Sequence, residues 1–90
     1  MQNIYNNYED KNIKEIYEIV FIDGRDLYWT GDGISTTEYA AMRYKNKQAA
    51  IDIAKKLKEI YEIQWGQTVK VVIATINVVD NLYAREEEVK

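Results

Sequence analysis

Histidine, cysteine and proline are all absent from this chain of 90 residues. Histidine is the usual proton shuttle near neutral pH and the most common metal ligand, and cysteine is the strongest nucleophile among protein side chains. Most familiar active-site designs need one of them. We therefore expect a protein that is not an enzyme and that uses no cofactor or metal. The lack of cysteine also suits a reducing compartment.

Long apolar runs are missing as well. No stretch approaches the roughly 20 apolar residues of a membrane span. The first residues, Met1–Tyr8, contain neither the basic region nor the apolar stretch of a secretory signal. We expect a cytoplasmic protein with no membrane partner.

The composition is that of one small globular domain, with 47% hydrophobic and 30% charged residues. The net charge is −3, but the two signs are separated along the chain. Residues 43–58, the basic segment, contain six basic residues and one acidic residue, and both flanking regions are acidic. Such a layout gives a dipolar molecule, which orients its partners as they approach.

The first ordered elements are predicted to be a β-hairpin. Residues 14–22 alternate apolar and polar side chains before becoming apolar on both sides, which indicates a strand. Asp23-Gly24 is a hairpin turn dipeptide, and residues 25–30 return with strand-forming aromatic and β-branched residues. Gly31-Asp32-Gly33 ends the second strand. The polar residues 1–12 are interpreted as an N-terminal arm.

Ser35 and Glu38 have the spacing of a capping box, which predicts a helical turn over Thr36–Ala41. The next residues, Ala41–Tyr44, fit either the end of that turn or a short third strand.

The main helix is predicted over Lys47–Gln64, with Asn46 as its N-cap and Gly66 as its C-terminal stop. Six side chains share one face at helical spacing and should pack on a sheet: Ala50, Ile53, Ala54, Leu57, Ile60 and Tyr61.

Residues 68–79 are almost continuously apolar or β-branched, which predicts a strand covered on both faces. One helix covers only one face, so the arm, the C-terminal segment or a second copy should cover the other. The fold class is α+β, with one helix packed across an antiparallel sheet of three to four strands in ββαβ order. The last strand should lie beside the first, antiparallel to it. We expect one domain over residues 13–80 and a charged segment over 81–90 that is a short helix or a tail.

Seven aromatic and basic residues are candidates for partner binding: Arg25, Tyr28, Trp29, Arg43, Tyr44, Lys45 and Lys47. Aromatic rings beside cations on a sheet are the ingredients of a single-stranded nucleic-acid-binding protein, which is one hypothesis. The chain is acidic overall, however, and its tyrosine and tryptophan residues exceed the needs of a small core. Protein binding, including self-association through the sheet, is therefore the favoured function. The acidic residues Asp23, Asp26, Asp32 and Glu38 are assigned to turns, because their spacing is not that of a calcium loop.

The order of these motifs resembles many small phage and prophage proteins of low-GC bacteria. The resemblance covers residues 14–79 and lies in Tyr28-Trp29-Thr30-Gly31, Ala41-Met42-Arg43-Tyr44 and Asn46-Lys47-Gln48-Ala49-Ala50. Such proteins include anti-CRISPR inhibitors of host defence, which act by binding and blocking. The resemblance implies an inhibitor in the host cytoplasm and assigns no functional residue.

Overall fold

A computed structural model of the chain describes residues 14–80 and 82–90. The strands in this part of the chain are β1 (Glu15–Ile22), β2 (Asp26–Trp29), β3 (Ile34–Ser35), β4 (Lys70–Asn77) and β5 (Tyr83–Val89). They form one antiparallel sheet in the order β3-β2-β1-β4-β5. One α-helix, α1 (Lys47–Trp65), packs against the sheet. The predicted α+β class is thus confirmed, while the predicted N-terminal arm lies outside the described residues.

The hairpin turn and the two caps of the main helix have the geometry that the sequence predicts. Gly24 has a φ of 71° in the β1–β2 turn, a value that a residue without a side chain adopts at little cost. Asn46 accepts a hydrogen bond from the Ala49 amide at the start of α1, and Gly66 ends the helix with a φ of 69°. β4 lies beside β1 and antiparallel to it, as expected.

The C-terminal segment was predicted incorrectly. Residues 83–89 are neither a helix nor a tail, because they form β5, which pairs with β4 along most of its length. With the two-residue β3 the described sheet has five strands, so the expectation of three to four strands in ββαβ order was also wrong. The free edge of β4 explains the difference. Backbone pairing with a buried strand offsets the low strand preference of a glutamate run.

The segment between β3 and α1 also differs from prediction. Ser35 does not form a capping box, because its Oγ accepts a hydrogen bond from the Thr37 amide. The helical turn is a shorter 3-10 helix at Glu38–Ala40. Ala41–Tyr44 is extended and forms an isolated bridge in which Tyr44 and Tyr17 exchange both backbone hydrogen bonds.

One face of the sheet, the helix face, forms the main core. Ile19, Phe21, Val71 and Ile73 lie there beneath the small and apolar side chains Ala50, Ala54 and Leu57 of α1. Tyr61 and Trp65 of α1 both contact the ring of Phe21 edge-on, and their own two rings are tilted against each other.

These rings also set the rotation of α1 about its axis. They place Tyr61 over the sheet, so Ile60, which lies about 100° away around the helix, points out with 55% of its surface exposed. Its assignment to the packing face was wrong, whereas Ile53 is half-buried and Leu57 is buried.

The opposite face, which we call the distal face, contains Ile16, Glu18, Val20, Tyr28, Val72 and Ala74. The segment after β3 covers part of it, because Ala41 packs in a buried cluster with Val20, Tyr28 and Val72. The sequence left open what covers the second face of the sheet. The residues between β3 and α1 supply part of that cover.

Candidate protein-binding surface

The centre of the distal face contains a buried contact between a carboxyl group and an arginine. Glu18 lies in the middle of β1 opposite Ala74 and has no exposed surface. The Nε atom of Arg43 lies 3.3 Å from Glu18 Oε2, and the Arg43 side chain is 7% exposed. Arg43 Nη1 also donates a hydrogen bond to the carbonyl oxygen of Ala41 at 3.0 Å. The pair therefore holds the segment before α1 against the sheet.

Glu18 has an unusual protonation equilibrium. Burial, followed by the nearby charge of Glu38, raises the pKa of Glu18 to about 8, although Arg43 acts in the opposite direction. Neither carboxyl oxygen of Glu18 accepts a well-aligned hydrogen bond from the described residues, so little offsets the cost of removing its charge from water. Glu18 is consequently protonated over much of the neutral range.

Two tyrosines meet over this pair from distant strands. Tyr28 is buried and extends from β2, while Tyr83 extends from β5, although β1 and β4 lie between those strands. Their hydroxyl groups interact, and burial, the charge of Glu38 and the contact with Tyr28 raise the pKa of Tyr83. Burial likewise raises the pKa of Tyr28. Both rings therefore stay neutral beside the carboxyl groups of Glu18 and Glu38, whose charges contribute to these pKa shifts. We call these polar side chains, together with Arg43, the network of the distal face.

Exposed aromatic side chains lie on two of the elements that carry this network. About half of Tyr83 is exposed (51%), although its hydroxyl group contacts Tyr28. Tyr39, which follows Glu38 in the 3-10 helix, is 69% exposed. We call Tyr39 and Tyr83 the distal patch. Tyr83 belongs to a sheet strand, and Tyr39 lies in a hydrogen-bonded turn of the segment that Arg43 contacts, so both rings are carried by ordered backbone.

The seven predicted partner-binding residues lie in different parts of the structure. Tyr28 and Arg43 belong to the network of the distal face. Trp29 and Tyr44 pack on the helix face, where Trp29 Nε1 donates a hydrogen bond to the Tyr44 hydroxyl at 3.1 Å. Lys47 pairs with Glu87 of β5, and this contact lowers the pKa of Glu87.

The remaining two residues are exposed and lie apart along the chain. Arg25 is in the hairpin turn, and Lys45 precedes α1. The seven residues therefore do not share one face of the sheet.

The predicted partner-binding residues do not include several of those that organise the distal face. Tyr39 and Tyr83 were counted only among the surplus aromatic residues, Glu38 was assigned to a turn, and Glu18 was not singled out. For Glu18 a signal was present. It stands at an even position of β1, on the same side as the apolar residues Ile16, Val20 and Ile22, where a carboxylate is costly unless it is paired. Tyr83 carried no such signal, because its segment was not predicted to be a strand.

Two further features of the described residues bear on function. No group of three acidic side chains there is arranged to hold a metal ion. No helix there combines the length and the apolar character needed to cross a bilayer.

Comparison of the chain with protein-family models, with curated proteins and with solved structures gives no match. The surface is therefore interpreted from its own geometry.

Proposed function

We propose that this chain is a small, non-catalytic protein that binds another protein through the distal patch. The supporting observation is the exposure of Tyr39 and Tyr83 beside the network of the distal face, in which Glu18, Arg43 and Tyr28 are buried. Tyrosine is enriched at protein interfaces because it buries a large area with little loss of conformational freedom. A rigid support reduces the entropy lost on binding.

The burial of Glu18 favours binding over catalysis. A carboxyl group with a raised pKa is a feature of many active sites. Glu18, however, has no exposed surface and lies beneath the segment that Arg43 anchors. A catalytic acid must reach the proton that it transfers. We therefore assign Glu18 and Arg43 to positioning the segment that carries Tyr39.

The placement of the basic residues favours a protein partner over single-stranded nucleic acid. Under the nucleic-acid hypothesis, Arg43, Lys45 and Lys47 would contact phosphates. Arg43 is instead buried against Glu18, and Lys47 is paired with Glu87. Trp29 and Tyr44, the expected stacking rings, take part in packing on the helix face. A nucleic-acid site would have to break these contacts or use other residues.

Affinity capture from cells of the source organism, followed by purified binding measurements, tests the proposal. Tyr39→Ala should weaken binding to the captured protein by about 2 kcal/mol or more, roughly 30-fold in Kd, because an exposed aromatic anchor is lost. Ile63→Ala is the matched control, because Ile63 is 78% exposed on α1, away from the distal patch.

Equal losses from the two variants would contradict the proposed surface. Micromolar binding of a single-stranded oligonucleotide in about 0.15 M salt would instead favour the nucleic-acid hypothesis, because an acidic protein needs a dedicated site to bind under those conditions.

The resemblance to small phage and prophage proteins extends the proposal to inhibition of a host defence complex. An inhibitor of this kind acts by occupying a surface, which a rigid aromatic patch suits. Location of the gene among phage anti-defence genes would support this extension, and location beside replication genes would count against it.

A further inference from the structure

β5 forms one edge of the sheet and faces solvent. Residues 83–88 are all exposed, and β4 is the strand that pairs with β5 among the described residues. The Asn77 amide donates to Leu82, whereas the next amide, Val78, donates to Lys14 on the other side of β4. The backbone N–H and C=O groups of successive residues in a strand point to opposite sides. The register of β4 with β5 therefore directs the backbone groups of Glu87 inward to β4 and those of Glu86 and Glu88 outward to solvent. An open ladder of this kind can pair with another strand.

A cleft of about 210 Å³ lies beside this edge, on the helix face. It is between α1 and the end of β5, with apolar side chains of Ile51, Ile73 and Val89 in its lining. Lys55 and Lys90 are also in its lining. A strand added to β5 would direct every second side chain toward the helix face, where the cleft lies.

The charges on the two faces of β5 differ. On the helix face Glu87 is already paired with Lys47 and Arg85. On the distal face Glu88 has a contact of 4.0 Å with the exposed Lys90, and Glu86 has no ion pair within the described part of the chain. Side chains that face Glu86 and Glu88 from a neighbouring strand would therefore be most stable if they were basic.

We propose that an extended segment of the partner protein pairs with β5, placing basic side chains beside Glu86 and Glu88 and an apolar side chain in the cleft near Val89. This inference rests on the proposed function and specifies the kind of partner segment. It is continuous with the distal patch, because Tyr83 belongs to the same strand. The acidic side chains limit pairing with acidic strands, so the edge is selective.

A second copy of this chain is a less favourable occupant. Pairing two β5 edges about a two-fold axis would bring the Glu86–Glu88 runs of both copies together. Like charges opposite each other destabilise a strand pair. A different protein with a basic, alternating segment has no such cost.

Amide hydrogen exchange tests the proposal with a synthetic peptide that alternates lysine and valine. The peptide should slow exchange of the Glu86 and Glu88 amides by at least about tenfold, because pairing gives those outward N–H groups an acceptor. An otherwise identical peptide with every backbone nitrogen methylated keeps the charge, but both of its edges are blocked by methyl groups and cannot form the ladder, so it should give no protection. Equal protection by both peptides, or protection elsewhere in the chain, would overturn strand addition.

Charge reversal tests the selectivity. Glu86→Lys/Glu88→Lys should bind the lysine–valine peptide at least about tenfold more weakly and should prefer a glutamate–valine peptide. Asp52→Lys/Glu59→Lys is the matched control, because it gives the same net charge through exposed residues of α1 and should bind like the native chain. Equal weakening in both variants would show that only net charge matters and would overturn the site. Self-association through protected β5 amides would assign the edge to a second copy and overturn the proposed occupant.

The two proposals fail in different ways. A captured partner that depends on Tyr39 but binds the Glu86→Lys/Glu88→Lys variant normally would leave protein binding intact and refute strand addition. If no captured protein depends on Tyr39, the distal patch is refuted, whatever the peptides do at β5.

Discussion

At the scale of single residues, the contact between Glu18 and Arg43 organises the distal face. An aliphatic side chain at position 18 would fill the same side of β1 without the desolvation cost that a carboxyl group carries. The pair instead attaches a connecting segment to the sheet at a defined point. A buried contact between a carboxyl group and an arginine is a weak source of stability, because both groups lose their hydration. We therefore interpret this one as setting the position of Glu38 and Tyr39.

The raised pKa of Glu18 predicts a pH dependence of stability. Glu18 titrates near pH 8 in the folded protein and near its ordinary value of 4.5 when unfolded. Between these values the folded state retains a proton that the unfolded state has lost. The free energy of unfolding should therefore fall as pH rises from about 5 to 8, by at least about 1 kcal/mol. Denaturant unfolding at pH 5 and pH 8.5 measures this change.

Glu18→Gln is the control for that prediction, because the amide is similar in shape and does not titrate. Its unfolding free energy should change much less over the same interval. The lowered pKa values of Glu62 and Glu87 act below pH 4.5, and the raised values of Tyr28 and Tyr83 act above pH 10, so these groups do not obscure the result. An equal pH dependence in the native chain and the variant would contradict the assignment.

At the scale of elements, the orientation of α1 depends on its small and aromatic residues. Ala50 and Ala54 are fully buried and let the helix approach the sheet closely. Tyr61 and Trp65 meet Phe21 at ring-centroid distances of 5.3 and 6.4 Å. The aliphatic residues at neighbouring positions of α1 are therefore only partly buried, as at Ile53, or exposed, as at Ile60.

Two matched substitutions test this orientation. Leu57→Ala should reduce the free energy of unfolding by about 2–5 kcal/mol, because Leu57 is 8% exposed in the main core. Ile60→Ala should cost less than about 1 kcal/mol, because that side chain is already largely in water. Urea unfolding of both variants gives the comparison. A larger effect at Ile60 than at Leu57 would mean that the helix is rotated from the position described.

At the scale of the whole molecule, β5 connects the C-terminal segment to the helix face and to the distal face of the sheet. Val89 is buried in the main core, Tyr83 contacts Tyr28 on the distal face, and Glu87 pairs with Lys47 of α1. The sheet extends from the two-residue β3 to this seven-residue edge strand. Residues after position 80 therefore belong to the domain and to its candidate surface.

Removal of residues 82–90 should destabilise the protein by at least about 2 kcal/mol, because a buried valine and a complete strand ladder are lost. Thermal unfolding of the shortened and full chains measures the loss. Val89→Ala offers a milder change if the shortened chain does not fold. Unfolding of the shortened chain at the same temperature as the full chain would show that β5 contributes nothing to stability.

We also expect that folding requires no metal. A chelator should leave the melting temperature unchanged, since a structural metal would contribute several kcal/mol that its removal would abolish. A lower melting temperature in the presence of chelator would contradict this expectation and make the acidic residues Asp23, Asp26 and Asp32 candidate metal ligands.

Elements with local sequence signals could be predicted without the structure. Asp23-Gly24 predicted the hairpin turn because its backbone conformation depends on neighbouring residues. Asn46, Gly66 and the apolar spacing between them predicted α1 for the same reason. The apolar run of β4 predicted a buried strand. The β2-β1-β4 arrangement followed from the usual adjacency of consecutive elements.

Tertiary structure decided the remaining features because they depend on pairing between distant residues. β5 is a strand because β4 offers a free edge, and a run of glutamates does not specify that outcome. Glu18 meets Arg43, and Tyr83 meets Tyr28, across separations that no local pattern encodes. Trp29 and Tyr44, two of the residues predicted to bind a partner, are partly buried against the helix-face core, because the register of β2 turns Trp29 toward α1. The candidate surface is therefore a product of how the sheet is assembled.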